Sequence, residues 1–145
     1  MKYFFTVLSC FLVVLLAACS DDNSKTVNSN CDKQALVIDD NNFQDIITAN
    51  YMITNIVLNG DCLEITLSSS GCDSNTWEMN LISSNSFFES LPLQRRVKVE
   101  LNNQETCLAV FQKTVSFDLI PLRIDGQNQV PLNIEGWSEP ITYQY

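Results

Sequence analysis

Apolar and polar positions alternate along most of the chain after residue 30, with a period of two. This period is typical of strands that bury one face and expose the other. The alternation is cleanest over residues 61–68 and 96–101, where aliphatic residues alternate with polar ones. Between the apolar runs lie clusters of Asn, Asp, Ser and Gly, and Asn59-Gly60 suits a type I′ hairpin turn. We therefore predict an all-β domain at residues 31–145, an antiparallel β-sandwich of about eight to ten short strands.

The boundaries of these elements follow from the individual runs. Residues 43–47 suit either one helical turn or a strand, and residues 83–86 indicate a break between strands. Pro92 argues against a central strand around Phe87-Phe88. The apolar runs that remain lie at 35–38, 51–58, 61–68, 76–82, 96–101, 107–111, 114–119, 141–145, and at 122–124 and 130–134, the last two joined by a predicted hairpin turn at 125–128.

Residues 1–18 have a different pattern, in which Lys2 precedes an apolar run that continues to Leu16. The run is short for a membrane span and ends in small residues, which is typical of a cleaved secretory signal. Its end, Leu16-Ala17-Ala18-Cys19, resembles the lipobox of bacterial lipoproteins. The resemblance implies cleavage before Cys19, a diacylglyceryl group on its thiol and acylation of the new amine, which together hold a protein stably on a membrane. An ordinary secretory signal with an incidental Cys19 is the alternative.

Residues 19–30 are almost entirely polar, and we expect them to form a flexible tether after the lipidated cysteine. The run Ser20-Asp21-Asp22 resembles the export tag of surface lipoproteins in Bacteroidetes-type bacteria. The resemblance implies a lipid-anchored protein of the outer membrane, exposed at the cell surface, with the periplasmic face as the alternative location. The membrane is therefore the first expected partner.

Composition excludes several classes of function. The chain contains no histidine, which excludes Ser-His-Asp and Cys-His catalysis and His-ligated zinc. It carries 8 basic and 17 acidic residues and no basic stripe beyond Arg95-Arg96-Val97-Lys98, so we expect no nucleic-acid partner. It also lacks a Gly-rich phosphate loop and a Gly-x-Ser-x-Gly motif. We assign no catalytic residue, no metal and no cofactor.

The cysteine positions indicate two disulfides. Once the signal cysteine Cys10 and the lipidation site Cys19 are set aside, four remain in an oxidising compartment, namely Cys31, Cys62, Cys72 and Cys107. They allow three pairings, and no Cys-x-x-Cys spacing points to zinc or redox chemistry. Because residues 63–69 form one predicted strand, Cys62 and Cys72 would lie roughly 20 Å apart, which is too far for a disulfide. We favour Cys31–Cys62 together with Cys72–Cys107.

Three segments, residues 59–66, 70–72 and 114–119, resemble a group of small Bacteroidetes-type lipoproteins whose function is not established. The resemblance covers most of the mature chain and implies no catalytic or binding residue. The order Cys62, Trp77, Cys107 is also similar to that of immunoglobulin-like domains, so we expect an immunoglobulin-like sandwich. We do not expect a central Cys62–Cys107 disulfide, because Cys62 shares a face with polar residues and the tyrosine normally found two residues before the second cysteine is missing.

Two sets of carboxylates are candidates for chemistry. Glu64 and Glu78 lie on strands expected to be adjacent, and together they would suit the acid/base pair of a hydrolase, although two solvated acids on a wet sheet face are the simpler interpretation. Asp39 and Asp45 are the first candidates for calcium ligands, although the spacing around them matches no known calcium loop.

The aromatic residues are candidates for binding. Trp77 alternates with Met79 and Leu81, which favours core packing. Trp137 follows a glycine in a predicted loop, and it is the residue we expect first to contact a ligand, with Tyr143 and Tyr145 next.

The function predicted from these features is that of a non-enzymatic, lipid-anchored envelope lipoprotein that binds a partner protein or a glycan. A carboxylate-dependent hydrolase and a purely structural envelope lipoprotein are the alternatives.

Overall fold

A computed structural model describes residues 30–145 of the chain. The predicted signal, the lipidation site Cys19 and the tether up to residue 29 lie outside these residues. Within the described part, no helix is long and apolar enough to cross a bilayer.

Strands dominate the described residues, as the alternation predicts. The nine strands are β1 (Lys33–Gln34), β2 (Leu36–Ile38), β3 (Met52–Asn59), β4 (Cys62–Gly71), β5 (Glu78–Phe88), β6 (Gln94–Asn102), β7 (Ala109–Asp118), β8 (Gln129–Ile134) and β9 (Ile141–Gln144). The helical elements in the same range are the short helix α1 (Asp40–Gln44) and a 3-10 turn at Ile120–Leu122. The all-β prediction is confirmed, and so is the expected number of strands.

The strands form two sheets. The first sheet has the order β1-β7-β4-β3, and the second has the order β2-β5-β6-β8-β9. Antiparallel hairpins join β3 to β4, β5 to β6 and β8 to β9. Gly60, in the β3–β4 turn, has a φ of 58°, which confirms the hairpin predicted from Asn59-Gly60.

The expectation of purely antiparallel sheets is wrong. Three strand pairs are parallel, namely β1 with β7, β2 with β5, and β6 with β8. The last pair arises because the chain leaves the second sheet after β6, forms β7 in the first sheet, and returns beside β6 in the same direction. The period of two says which face of a strand is buried, but it does not say which strand lies beside it.

Side chains from both sheets form one core. Leu63, Ile65 and Leu67 of β4 are fully buried, as are Leu81 of β5 and Val99 of β6. Burial of a side chain of this size contributes about 1.5–3 kcal/mol. Trp77, only 2 % exposed, joins the same core, which confirms the packing role predicted for it.

Several predicted boundaries are wrong for local reasons. Residues 83–86 continue β5 instead of breaking it, and the pairing of β5 with β6 shifts register between Ser83 and Phe87. Ser84 is buried in this strand because its hydroxyl donates to Asp40 of α1, which the local pattern does not reveal. Residues 107–119, expected as two strands, contain the single strand β7.

The strand and hairpin predicted around residues 122–128 are also wrong. Pro121 lies in the first turn of the 3-10 element Ile120–Leu122, where its missing N–H costs nothing. Residues 43–47 suited either a helical turn or a strand. Phe43 and Gln44 belong to α1, which ends at Gln44.

Both favoured disulfides are present. Cys31 and Cys62 lie with their Cα atoms 5.6 Å apart, and Cys72 and Cys107 with theirs 4.9 Å apart. The ten-residue strand β4 keeps Cys62 and Cys72 apart, as the predicted strand over residues 63–69 indicated.

Candidate functional site

A groove lies on the outer face of the second sheet, over β6 and β8. We call it the β6–β8 groove. One wall is α1, and another is the loop 135–140 between β8 and β9. Its volume is about 320 Å³. The side chains that define it are Phe43, Gln44, Phe88, Arg96, Lys98, Asn133, Glu135 and Trp137.

Capping and packing form the α1 wall. The Asp39 carboxylate caps the helix by accepting a hydrogen bond from the backbone N–H of Asn42 at 3.1 Å, and a further bond from the Asn42 side chain. These bonds hold the pKa of Asp39 below its ordinary value. Phe43, only 3 % exposed, faces the sheet and anchors the helix on it.

Asp40 locks α1 to two strands of the second sheet. Its two carboxylate oxygens accept hydrogen bonds from the hydroxyls of Ser84 and Ser86 on β5. One oxygen also accepts from Nη2 of Arg96 on β6, at 2.5 Å. The serine hydrogen bonds, and secondly the guanidinium charge, lower the pKa of Asp40. The carboxylate therefore stays ionised and holds the Arg96 side chain at the groove.

Arg96 and Lys98 lie two residues apart on β6 and therefore share its outer face. The Arg96 guanidinium lies 5.4 Å from the ring centre of Phe43 and 5.9 Å from that of Phe88. The Lys98 Nζ lies 4.8 Å from the Phe43 ring centre and donates to the Phe43 carbonyl at 3.1 Å. Both cations are partly buried over aromatic faces, where a cation is attracted by the ring quadrupole.

The neighbouring arginine, Arg95, belongs to the interior instead. It is buried, and it donates to the carbonyl oxygens of Leu122 and Ser84 while lying over the Phe87 ring. Burial lowers its pKa. The basic run in the sequence is thus divided between the core and the groove.

Of the three aromatic residues predicted to bind a ligand, Trp137 lines the groove. It is half-buried, and its backbone N–H donates to the Ile134 carbonyl at 3.0 Å across the turn at Gly136. Gly136 has a φ of 84°, which a side chain would make unfavourable.

The two tyrosines expected to contact a ligand after Trp137 do not line the groove with it. Tyr143 is fully buried in the core, and Tyr145 is half-buried. The Tyr145 hydroxyl accepts from the Ile124 N–H and donates to the Ile124 carbonyl. The reason is the alternation itself, since Ile141, Tyr143 and Tyr145 share the face of β9 that packs against the core.

Tyr143 belongs to a polar network that the sequence did not indicate. Its hydroxyl donates to Asp61, and Arg123 donates to both the Tyr143 hydroxyl, at 2.9 Å, and the Asp61 carboxylate, at 2.6 Å. The hydrogen bond from Tyr143 lowers the pKa of Asp61, and burial raises the pKa of Tyr143 to about 12. Because Asp61 lies in the β3–β4 turn and Tyr143 on β9, this network ties the two sheets together.

The carboxylate candidates are placed apart or used locally. Glu64 lies on β4 of the first sheet and Glu78 on β5 of the second, so they are not on neighbouring strands. Asp39 caps α1, and Asp45 follows its end. Residues 30–145 contain no cluster of three or more side chains able to ligate a metal.

Among the groove residues, Trp137 alone was chosen from the sequence as a binding residue, although the basic run 95–98 contains Arg96 and Lys98. Alternation along 96–101 places Lys98 on the outer face, but nothing local brings Phe43 or Phe88 to it. The polar run 39–42, with Phe43 directly after it, could have indicated the start of α1. Asp39 lies three residues before Asn42, whose backbone N–H it caps.

Comparison with models of protein families and with curated protein sequences finds no match. Among solved structures, the chain is similar to a protein of unknown function, DUF1344, from Bacteroides vulgatus ATCC 8482, with a TM-score of 0.51 and 14 % identity over 78 % of this chain and 56 % of that one. It is also similar to a NigD-like immunity protein from Bacteroides caccae ATCC 43185, with a TM-score of 0.55 and 12 % identity over 76 % of this chain and 57 % of that one.

A third similar structure is a putative toxin-related protein from Parabacteroides distasonis ATCC 8503, with a TM-score of 0.51 and 16 % identity over 78 % of this chain and 59 % of that one. The chain thus spans 56 to 59 % of the length of these three proteins. At such identities the likeness is one of fold. It agrees with the expected resemblance to small Bacteroidetes-type proteins of unknown function.

Proposed function

We propose that this protein is a non-enzymatic envelope lipoprotein, anchored through Cys19 in the outer membrane and exposed at the cell surface, whose β-domain binds a glycan in the β6–β8 groove. One observation carries the glycan assignment. The groove combines the partly exposed rings of Trp137 and Phe88 with the amides of Gln44 and Asn133 in one concavity of about 320 Å³.

This combination suits the two kinds of surface that a sugar presents. The C–H faces of a pyranose ring are apolar and stack on aromatic rings, while its hydroxyl edges need donors and acceptors. Ring side chains supply the first, and amide groups supply both hydrogen-bonding roles for the second. A few polar groups placed around an apolar surface are what fixes the orientation of a small ligand.

The size of the groove favours a glycan over a folded protein. Small-ligand sites occupy roughly 300–1,000 Å³, and this groove lies at the lower end of that range. A stable protein interface buries about 800 Å² on each partner, which is far more surface than the groove offers. One or two sugar units of a longer chain would fill it.

A partner protein is the second candidate, and a different surface favours it. Strand β7 pairs with β1 at Phe117 and Asp118 alone, so residues 109–116 have no further strand on that side within the described chain. Leu108 and Val110, at 89 % and 73 % exposed, lie at the start of this open edge. An edge of this kind accepts an added strand. The description of one structural neighbour as an immunity protein, carried over to this chain, would likewise imply a protein partner.

We also retain the immunoglobulin-like description of the sandwich as part of the proposal. Two facing sheets of four and five strands support it. The domain would lack the central disulfide of antibody domains, because Cys62 and Cys107 bridge to other cysteines.

The test is a titration that uses the two tryptophans separately. Trp137 lies in the groove, whereas Trp77 is buried in the core and serves as an internal control. A glycan array first identifies a binder, and its titration should change the fluorescence of the protein and of Trp77→Phe, but not of Trp137→Phe. Loss of binding in Trp137→Ala, with an unchanged unfolding midpoint, supports the proposal. Binding that persists in that variant contradicts the groove.

Two further measurements check the anchor and the absence of catalysis. Cys19→Ser should release the protein from membranes into the soluble fraction, and unchanged fractionation would contradict the anchor. Turnover of the bound glycan, lost in Glu64→Gln or Glu78→Gln, would replace the binding module with the hydrolase alternative.

A further inference from the structure

We propose that the glycan bound in the β6–β8 groove is acidic, and that a uronic acid carboxylate lies against Arg96 and Lys98. This inference rests on the proposed glycan-binding function and specifies its ligand class. Two observations support it. Arg96 and Lys98 both line the groove of an otherwise acidic protein. Within residues 30–145, each of these side chains also has N–H groups that donate to no acceptor.

Positive charge is scarce in this chain, yet it converges at the groove. The whole sequence has 8 basic residues against 17 acidic ones. Two of the basic side chains, Arg96 and Lys98, line the same concavity, and they are only 31 % and 19 % exposed. Charges that are partly withdrawn from water act on a ligand more strongly than exposed ones. A carboxylate that enters this groove therefore meets two cations at short range.

Both cations keep N–H groups that no acceptor among residues 30–145 uses. Within residues 30–145, the Arg96 guanidinium donates one hydrogen bond, to Asp40, out of the five N–H groups of its fork. The Lys98 ammonium donates one of its three, to the Phe43 carbonyl. A carboxylate accepts from such groups by short, charge-assisted hydrogen bonds, and a guanidinium matches its geometry well.

The groove also contains a carboxylate of its own, Glu135. Its Oε2 lies 3.8 Å from the Lys98 Nζ, which is beyond hydrogen-bonding distance, and its side chain is 69 % exposed. A loose pair of this kind contributes little, so Glu135 is free to turn toward solvent when a ligand carboxylate takes its place. Asp40 is different, because two serine hydroxyls and Arg96 hold it.

The ring wall explains why the anion would be part of a sugar. Phe88, 44 % exposed, lies beside the Arg96 guanidinium, and Trp137 lies on the loop 135–140. A uronic acid carries its carboxylate on the same ring whose C–H face stacks on an aromatic side chain. One residue of the polymer would therefore satisfy both the cations and the rings.

The experiment compares two ligands that differ at their carboxyl groups, ionised in one and methyl-esterified in the other. The purified full-length protein is titrated by calorimetry with trigalacturonic acid and with its fully methyl-esterified form, and then with the corresponding glucuronate pair and neutral oligosaccharides. We expect at least one free acid to bind about tenfold more tightly than its ester, as one charge-assisted contact would give. The difference should shrink at 0.5 M NaCl, because salt screens the attraction.

Variants distinguish the effect of Arg96 and Lys98 from the effect of a change in the net charge of the protein. Lys98→Gln should remove most of the preference for the free acid, and Arg96→Lys, which keeps the charge but loses the fork, should reduce it. Lys33→Gln removes one positive charge outside the groove and should leave the preference intact. If free acids and esters bind equally, or neutral sugars bind best, the inference is wrong and the glycan-binding proposal stands. If no glycan of either charge binds, both are wrong.

Discussion

The outer faces of the two sheets differ in a way that shows how this fold builds a site. On the outer face of the first sheet, the Thr66 and Thr114 hydroxyls hydrogen bond to each other across β4 and β7 at 2.8 Å. The outer face of the second sheet supports a further layer, in which α1 buries Phe43 and brings the Arg96 and Lys98 side chains against it. The β6–β8 groove therefore lies on the outer face of the second sheet, bordered by α1 and by the loop 135–140.

The extra layer depends on the sheet beneath it. A helix of five residues is far too short to be stable alone in water. It persists because Phe43 is buried and Asp40 is held by hydrogen bonds from β5 and β6. The groove should therefore be lost when these contacts are removed, while the face of the first sheet should tolerate comparable changes.

Phe43→Ala should have the largest effect. Removal of a buried ring leaves a cavity between α1 and the second sheet, and we expect the free energy of unfolding to fall by about 3 kcal/mol. Urea denaturation measures the change. Thr66→Val on the first sheet is the control for the other face and should change stability by less than about 1 kcal/mol. Equal effects of the two substitutions would contradict the contrast between the faces.

Gly71→Ala should have the next largest effect, at the end of β4 beside the Cys72–Cys107 disulfide. An added Cβ would lie 2.4 Å from a Glu105 carboxylate oxygen and 2.7 Å from Cζ2 of the buried Trp77 ring. We expect a loss of about 2 kcal/mol from this overpacking, measured by thermal unfolding. Ser70→Ala, at the exposed neighbouring position, should be almost neutral. A stable Gly71→Ala protein would mean that Trp77 has room to move.

Tyr143→Phe tests the polar tie between the sheets. It removes the hydroxyl that donates to Asp61 and accepts from Arg123, and we expect a loss of about 1.5 kcal/mol because a charged acceptor is left with fewer partners. Tyr145→Phe, whose hydroxyl bonds to the Ile124 backbone alone, should cost less. Urea denaturation of both variants ranks them, and the reverse order would show that Asp61 is satisfied by Arg123 without Tyr143.

Glu105→Gln should have the smallest effect and should depend on pH. The Glu105 carboxylate accepts from the Thr76 hydroxyl and from the backbone N–H of Cys72 and Asp73, which lowers its pKa from 4.5 to about 2. A lowered pKa means that the ionised form stabilises the fold above pH 4.5, and that this contribution is lost as the pH falls toward about 2.

The variant should thus be less stable than the parent protein at neutral pH, and the two unfolding midpoints should converge between pH 4.5 and about 2. Glu139→Gln, an exposed change on the loop 135–140, is the control. A constant difference between parent and Glu105→Gln across that range would rule out the ionised carboxylate as the cause.

Much of the fold could be predicted because the period of two is a local property. Leu63, Ile65 and Leu67 are apolar at every second position, and a strand buries such a set whatever lies next to it. The length of the same strand counted against pairing Cys62 with Cys72, and the polar face on which Cys62 lies counted against pairing it with Cys107. Where polar residues interrupt the pattern, as at Ser84 and Ser86, the prediction was wrong, because their hydroxyls donate to Asp40, which is distant in sequence.

The sequence by itself determined the all-β class, the inward face of most strands and the absence of histidine chemistry. Each of these depends on residue type or on spacing within one strand. Tertiary structure alone decided the parallel pairs and the meeting of Phe43, Phe88, Arg96, Lys98 and Trp137 at one groove. Those features depend on which strands become neighbours and on which face receives α1, and they follow from packing between segments that lie far apart in the chain.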